Sequence, residues 1–454
     1  MLGKKLFGTR GIRGPISTKV TPELMLRLGS ALAEYVNGGE VVVGWDTRTS
    51  GEMLARAFTA GLLSGGCDIV EVGVVPSPCV AFTTKDLGAG AGAMITASHN
   101  PPEDNGIVFY RSDGTEFLTE DEVSMERLFF GAGSRTTGWD ELGSVRRYDP
   151  VTSYLNTIKK MVRVKGGLKV VVDCANGTGS VTTPRLLREL GCKVVTLNAH
   201  PDGHFPGRPP EPQPWNLLDL MATVREVDAD IGLAHDGDAD RIAVVDEQGN
   251  FVRPDALLAL FAEIAVKRSN GGAVVTSINT STAIDEVVSR AGGKVYRTGL
   301  GDFTEAMLEH HACFAGEPGK LVFLELGPWA DGVFCAAKMV ELLSSEQRPL
   351  SEIISERVPN YPAYFSDFPC PDEMKEEFMR EMREYLLAQV DEVQETIELD
   401  GLRINRKNGS WILVRVSGTE PKARFAAEGR DEAELERLKN IGLSKIKEIL
   451  KLQQ

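Results

Sequence analysis

The stretch Asp236-Gly237-Asp238-Ala239-Asp240-Arg241 sets three carboxylates at alternate positions in one turn, between the apolar runs Ile231-Gly232-Leu233-Ala234 and Ile242-Ala243-Val244-Val245. Three anions so close repel one another unless a cation neutralises them, and an all-oxygen donor set suits a hard ion such as Mg²⁺. Arg241 adds a fixed positive charge beside them. Asp236, Asp238, Asp240 and Glu247 also fall at positions 1, 3, 5 and 12 of an EF-hand calcium loop. Position 6 of that loop needs a glycine for its sharp turn and here carries Arg241, and β-branched flanks stand where helices would be. The pattern therefore favours a metal held at the end of a strand, with a solvated acidic turn as the plain alternative.

Two more stretches carry chemistry. Met94-Ile95-Thr96-Ala97-Ser98-His99-Asn100-Pro101-Pro102 is a short apolar run that breaks into a polar loop stiffened by two prolines, which would present Ser98 as a rigid nucleophile. Ser98 and His99 suggest a hydrolase dyad, yet neighbouring side chains usually diverge and do not easily share a hydrogen bond. A structural Asx/Ser turn is the other alternative. Arg415-Val416-Ser417-Gly418-Thr419-Glu420-Pro421-Lys422-Ala423-Arg424 follows the apolar strand Trp411 to Val414. Two arginines, two hydroxyls and a glycine that lets N–H groups turn inward describe a phosphate cradle, with a solvated hairpin of basic edge as the alternative.

These loops need strands and helices to hold them, and a weak internal repeat supplies them. Val41-Val42-Val43, Val170-Val171-Val172 and Val274-Val275 each lead into a polar turn, then a helix, then a Gly-led second strand at Asp68–Val72, Lys193–Leu197 and Lys294–Tyr296. Each copy reads as a parallel βαβ unit whose carboxyl-end loops face a ligand. Breaks in periodicity place three similar mixed α/β domains at 1–150, 151–250 and 251–365. The remainder, 366–454, changes to helix, strand, an Asn408-Gly409 hairpin, two strands and a closing amphipathic helix, a smaller α+β cap.

At 454 residues the chain exceeds one ordinary core. Its 65 acids against 50 bases, a formal charge of −15, argue against nucleic acid or an anionic membrane as partner. Any anionic substrate needs a local basic pocket. Seven scattered cysteines without a C-x-x-C pair, and an N-terminus without an apolar signal core, point to a reduced, cytoplasmic protein. The most apolar run, Leu257 to Val266, is about half the length of a membrane span and contains Glu263, so a buried helix is expected. Oligomeric state leaves no signal in the sequence.

Taken in order, these residues resemble the α-D-phosphohexomutases over essentially the whole chain. Phe7-Gly8-Thr9-Arg10-Gly11-Ile12-Arg13-Gly14 is similar to that family's N-terminal loop, Thr96 to Pro101 to its phosphoserine loop, and Asp236 to Arg241 to its metal loop. Pro201 to Pro212 resembles its second-domain loop, Gly316-Glu317-Pro318-Gly319 its sugar loop and Arg415 to Arg424 its phosphate loop. The resemblance implies domains around a central cleft and an isomerase that interconverts hexose 1- and 6-phosphates through a phosphoserine and a hexose bisphosphate. It implies catalytic Ser98, His99, Arg10 and Arg241; Mg²⁺ on Ser98, Asp236, Asp238 and Asp240; sugar contacts from Gly301, Asp302, Glu317 and Lys320; and phosphate contacts from Arg415, Ser417, Gly418, Thr419 and Arg424 on a separate, movable cap.

Departures from the pattern cluster among basic residues. Val108 stands where the family usually has a lysine that assists proton transfer, Gly299 where a lysine is common, and Trp45 where Arg or Lys often precedes Asp-Thr-Arg. Pro318-Gly319-Lys320 replaces the usual Ser-Gly-His, so Lys320 or His99 is expected to restore the missing charge or proton-transfer capacity. Thr96-Ala97-Ser98-His99-Asn100-Pro101 and the Gly-Glu-Pro start of the sugar loop resemble phosphoglucosamine mutases of archaeal type. Phosphomannomutase/phosphoglucomutase is the alternative specificity, and an inactive sugar-phosphate-binding relative the alternative of another class.

Overall fold

A computed structural model describes residues 6–8, 11–131, 135–301, 303–418 and 420–451. The chain forms two compact units, Met1–Leu257 with Pro318–Ile354, and Leu258–Glu317 with Ser355–Gln454.

Among the described residues, two sheets lie wholly within the first unit. In the six-stranded one the order is Ile12–Pro15, Asp104–Arg111, Ala91–Ile95, Gly39–Trp45, Cys67–Val74 and Val145–Arg147. Gly39–Trp45 pairs in parallel with both Cys67–Val74 and Ala91–Ile95, as the first βαβ reading requires. The all-valine centre of Gly39–Trp45 is buried, because helices Pro22–Tyr35 and Gly51–Ser64 contribute Leu28, Leu32, Leu54, Phe58 and Leu62 to the same core. The second sheet runs Ala243–Val245, Ile231–Ala234, Lys169–Asp173, Lys193–Leu197, with only Ala243–Val245 antiparallel. That hairpin, Ile231–Ala234 returning through Ala243–Val245, is what presents the carboxylate turn at a strand's carboxyl end.

In the second unit Gly272–Ser277 pairs in parallel with Gly293–Thr298 and Phe314–Glu317. The cap is a five-stranded antiparallel sheet ordered Ala363–Pro369, Lys422–Glu428, Trp411–Val416, Leu402–Arg406, Val393–Ile397. Helices Lys375–Gln389 and Glu432–Leu450 cover it through Phe378, Met382, Leu386, Leu435, Leu438 and Ile446. The cap does not stand apart from the third βαβ segment. Arg403, fully buried, donates from Nη1 to the carbonyls of Ile278 and Thr280 (2.5 and 2.7 Å) and stacks 4.0 Å from the Trp411 ring. Trp411 Nε1 and Thr282 N–H both donate to the buried Glu428 carboxylate at 3.0 Å. Separating the two would strand a buried guanidinium and a buried carboxylate, and the cap falls in one compact unit with Leu258–Glu317.

The apolar run Leu257 to Val266 lies inside the helix Pro254–Arg268, with Leu257, Leu258, Leu260 and Phe261 buried. Among the described residues no helix is long and apolar enough to cross a membrane.

Candidate active site

Strand Ala91–Ile95 ends at the Ser98 loop, and strand Ile231–Ala234 ends at the carboxylate turn. The two loops meet in the first unit. Ser98 Oγ donates to Asp236 Oδ2 at 2.6 Å and lies 3.1 Å from His99 Nδ1. The expectation that Ser98 and His99 diverge is corrected. Ser98 has φ +51°, and this left-handed turn swings consecutive side chains toward the same side. The conformation is secured by Ser98 N–H donating to Thr96 Oγ1 (2.8 Å), while Thr96 donates to Asp46 Oδ2 (2.7 Å). A hydrolase dyad is not thereby formed, because the hydroxyl hydrogen is directed to Asp236.

Close approach of the loops depends on glycine. A Cβ on Gly237 would lie 2.5 Å from Ser98 O, and one on Gly177 would lie 2.4 Å from Gly237 O. Any larger residue at either position would force the carboxylate turn away from the nucleophile.

Asp236, Asp238 and Asp240 are all buried, and one oxygen from each falls within 4.8 Å of the others. Asp238 Oδ1 and Asp240 Oδ1 are buried without a hydrogen-bond partner. Burial and the adjacent Asp240 push the Asp236 carboxyl up, and burial with Asp240 and Asp236 pushes Asp238 well above the ordinary range. For Asp240 burial also acts upward, but Lys320 and Arg241 outweigh it and hold its carboxyl below the ordinary value. Orphaned oxygens on Asp238 and Asp240, and the raised carboxyls of Asp236 and Asp238, are what a divalent cation among three acids would relieve, so the residues fit a hard metal ion. Glu247, the twelfth residue of the EF-hand alternative, instead accepts from Ser351 N–H (3.2 Å) and from its hydroxyl. That reading is thereby excluded.

The remaining expected residues fall as follows. Arg241 N–H donates to Asp236 Oδ1 (3.2 Å), while its guanidinium stands 4.0 Å from both Asp236 and Glu211. His99 is pushed down to about 2 by burial, then by Arg241 and Arg13, so its imidazole is neutral at working pH. Val108 is buried in strand Asp104–Arg111 opposite Met94. Lys320 Nζ lies 2.8 Å from Asp240 Oδ2 and 3.0 Å from Glu116 Oε1. Arg10, Asp302 and Thr419 lie outside the described residues.

In the second unit, Gly301 (φ +81°) follows strand Gly293–Thr298, and Glu317 ends strand Phe314–Glu317. Arg415 and Arg424 are cross-strand partners. Arg415 faces Asp400 (3.1 Å) and Arg424 faces Glu420 (2.8 Å), while the Nε of each is buried without a hydrogen bond, that of Arg424 lying 3.6 Å from Asp367 Oδ1. Burial lowers Arg415, which Asp400 and Glu317 partly offset, so the sugar-loop acid and the phosphate-loop arginine share one electrostatic neighbourhood. A Cβ added at Gly418 would meet nothing within 4 Å. Lys375 Nζ, at the start of the cap helix, donates to the carbonyls of Ser417 (2.6 Å) and Glu420 (2.8 Å), while the N–H groups of Ser417, Glu420 and Lys422 donate to Lys422 O (2.8 Å), Ser417 Oγ (3.1 Å) and Glu420 O (2.8 Å), so the loop holds its own shape.

Several residues of this site were not singled out in the sequence. Arg48 Nε pairs with Asp46 (3.1 Å), and its guanidinium donates to the carbonyls of Ser98 (3.1 Å), Asn100 (2.7 Å), Pro101 and Asp104 (2.9 Å). Ser77, opening helix Ser77–Leu87, donates its hydroxyl to Asp238 Oδ2 (2.6 Å) and its N–H to Asp238 O (3.0 Å). Arg13, in a quoted loop but without a role, acts on Asp238, Asp240 and His99. An Asp-Thr-Arg turn after a strand was the available signal for Arg48; nothing local marked Ser77.

His235, next to the carboxylate turn, uses both ring nitrogens in the neutral form: Nδ1 meets Arg241 O at 3.0 Å and Nε2 meets Thr183 Oγ1 at 2.9 Å. Burial pushes it down from 6.5 to about 4. For a base with a depressed folded value, the unfolded chain takes the proton first, so stability is lost as pH falls from about 6.5 toward about 4. His235→Gln is expected to lower the pH slope of the unfolding free energy in this window by about 1.4 kcal/mol per pH unit, measured by urea denaturation at three pH values. An unaltered slope would contradict a buried neutral imidazole.

Residues 4–135, 152–249 and 253–361 match domains I, II and III of "Phosphoglucomutase/phosphomannomutase, alpha/beta/alpha", and 369–441 match "Phosphoglucomutase/phosphomannomutase, C-terminal domain". The "Phosphopentomutase" of Thermococcus kodakarensis is 45% identical over 448 residues, covering 98% of this chain and 99% of that protein. The "Probable phosphoglucosamine mutase" of Methanopyrus kandleri is 46% identical over 441 residues, 96% of each chain. A solved phosphoglucomutase/phosphomannomutase family protein from Burkholderia thailandensis superposes with a TM-score of 0.89 at 28% identity, covering 100% of this chain and 99% of that one. The fold and site define a sugar-phosphate mutase, an isomerase by class. The chain belongs to the phosphoglucomutase/phosphomannomutase family.

Proposed function

We propose that the enzyme interconverts hexose 1-phosphate and hexose 6-phosphate through a phosphorylated Ser98 and a hexose bisphosphate, with glucosamine phosphate as its preferred substrate. The observation that carries this reading is Ser98 Oγ held 2.6 Å from Asp236 within a buried three-carboxylate turn. Ser98 phosphate would be attacked by a hydroxyl of the bound sugar phosphate: the new sugar O–P bond forms as the Ser98 Oγ–P bond breaks. Return transfer from the other end of the bisphosphate re-forms phosphoserine. Asp236, Asp238, Asp240 and an oxygen on Ser98 would hold Mg²⁺, which when bound supplies positive charge to the phosphoryl oxygens.

The other steps belong to the chain itself. The proton released by the attacking sugar hydroxyl is matched by the one Ser98 Oγ gains as the phosphoryl leaves, and His99 Nδ1 (3.1 Å) and Asp236 Oδ2 (2.6 Å) are the groups placed beside that oxygen to pass it. Arg241 and Arg10 balance charge at the phosphoserine loop. Arg415, Ser417, Gly418, Thr419 and Arg424 hold the phosphate that is not reacting, and Gly301, Asp302 and Glu317 the sugar hydroxyls. Boundaries at 150, 250 and 365, supported by the four domain matches, and a cytoplasmic setting, supported by seven unpaired cysteines, complete the proposal.

A second reading, that the sugar is a pentose, is favoured by the phosphopentomutase of T. kodakarensis at 45% identity over nearly its whole length. Initial rates with glucosamine, mannose, glucose and ribose 1-phosphates, each with its bisphosphate, separate the two. Fastest turnover of the glucosamine compound is expected; fastest turnover of the ribose compound would replace the first reading by the second. No turnover of any, with sugar phosphates still bound, would leave a sugar-phosphate-binding relative.

A further inference from the structure

Lys320 occupies an unusual place for an ammonium. Its side chain is 4% exposed, 2.8 Å from Asp240 Oδ2 and 3.0 Å from Glu116 Oε1. Its position is set by backbone rather than by a flexible tether: Lys320 bridges to Arg241, and Ile242 N–H donates to Gly319 O at 3.0 Å. The strand Lys320–Phe323 is therefore fastened to the end of the carboxylate turn itself. Asp240 presents one oxygen to the ammonium while its other oxygen is buried and unpartnered.

Resting on the metal reading above, we propose that Lys320 is a built-in counter-ion of the metal turn. It holds Asp240 in place among its neighbours before the ion binds, and it competes with that ion for the same carboxylate. Glu116 is the acceptor onto which the ammonium settles when a divalent cation takes Asp240. An ammonium within contact distance of a metal ligand repels a dication strongly in a buried site, where water screens poorly. An acceptor on its far side lowers the cost of that displacement. Such a device gives a preformed, weakly binding seat, where three bare carboxylates would give a strained, tightly binding one.

The two substitutions move affinity in opposite directions, which separates this role from general loosening. Mn²⁺ alone is titrated into the full-length protein carrying Ser98→Ala, so that phosphorylation is equal in all samples, and free Mn²⁺ is followed by electron paramagnetic resonance. Adding Lys320→Met is expected to tighten Mn²⁺ binding by about tenfold or more, and adding Glu116→Gln to weaken it several-fold. Equal or weaker binding by the Lys320→Met protein, or tighter binding by the Glu116→Gln protein, would overturn the proposal. Should Lys320→Met fail to fold, the sign of the Glu116→Gln effect decides alone. If neither the Ser98→Ala parent nor the protein with Ser98 intact takes up Mn²⁺, the metal reading itself falls.

Discussion

Ser98→Ala is expected to abolish turnover, by on the order of 10⁴-fold or more, and to lack the covalent phosphate that intact mass is expected to find on the parent protein. The reason is positional. Within the described residues of the first unit, Ser98 is the hydroxyl that the carboxylate turn touches through Asp236, and no second hydroxyl lies on that oxygen. The side chain is small and the backbone turn is held by Thr96, Asp46 and Arg48, so the variant keeps its fold, as an unchanged melting temperature would show. Activity within tenfold of the parent, or phosphate remaining on the chain, would remove Ser98 from the reaction.

Arg48→Met is expected to cost about 3–5 kcal/mol of stability, read as the first transition in urea, and to reduce phosphorylation of Ser98 along with it. Arg48 is 2% exposed, and its guanidinium serves one carboxylate and four carbonyls, two of them from Ser98 and Asn100. Removing it leaves Asp46, already pushed up by burial, without its cation, and leaves the loop carbonyls facing a void. Arg48→Lys should rescue little, since a single ammonium cannot reach across the same fork of acceptors. A loss below about 1 kcal/mol would mean that the loop is held from elsewhere.

The βαβ repeat was legible because buried parallel strands must be runs such as Val41-Val42-Val43, and such runs announce themselves. The carboxylate turn was legible for a similar reason: three alternating acids between apolar strands have few uses. What escaped were contacts made over long separations. Ser77 reaches Asp238 across 161 positions, and Tyr154 donates to Asp331 across 177. No local pattern encodes such pairs, because each partner is an ordinary residue in its own segment. The divergence expected of Ser98 and His99 assumed ordinary backbone, and a single positive φ was enough to defeat it. The contacts of the cap with the third βαβ segment were likewise hidden, since Arg403 meets Thr280 across 123 positions and Glu428 meets Thr282 across 146.

The same positive φ also selects the kind of alcohol that can serve as nucleophile. Threonine offers an equivalent hydroxyl, yet its branched Cβ collides with the backbone in a left-handed turn, where serine is tolerated. The preference for a primary alcohol at position 98 is thus geometric rather than a matter of reactivity. Position 98 must bend before it can react.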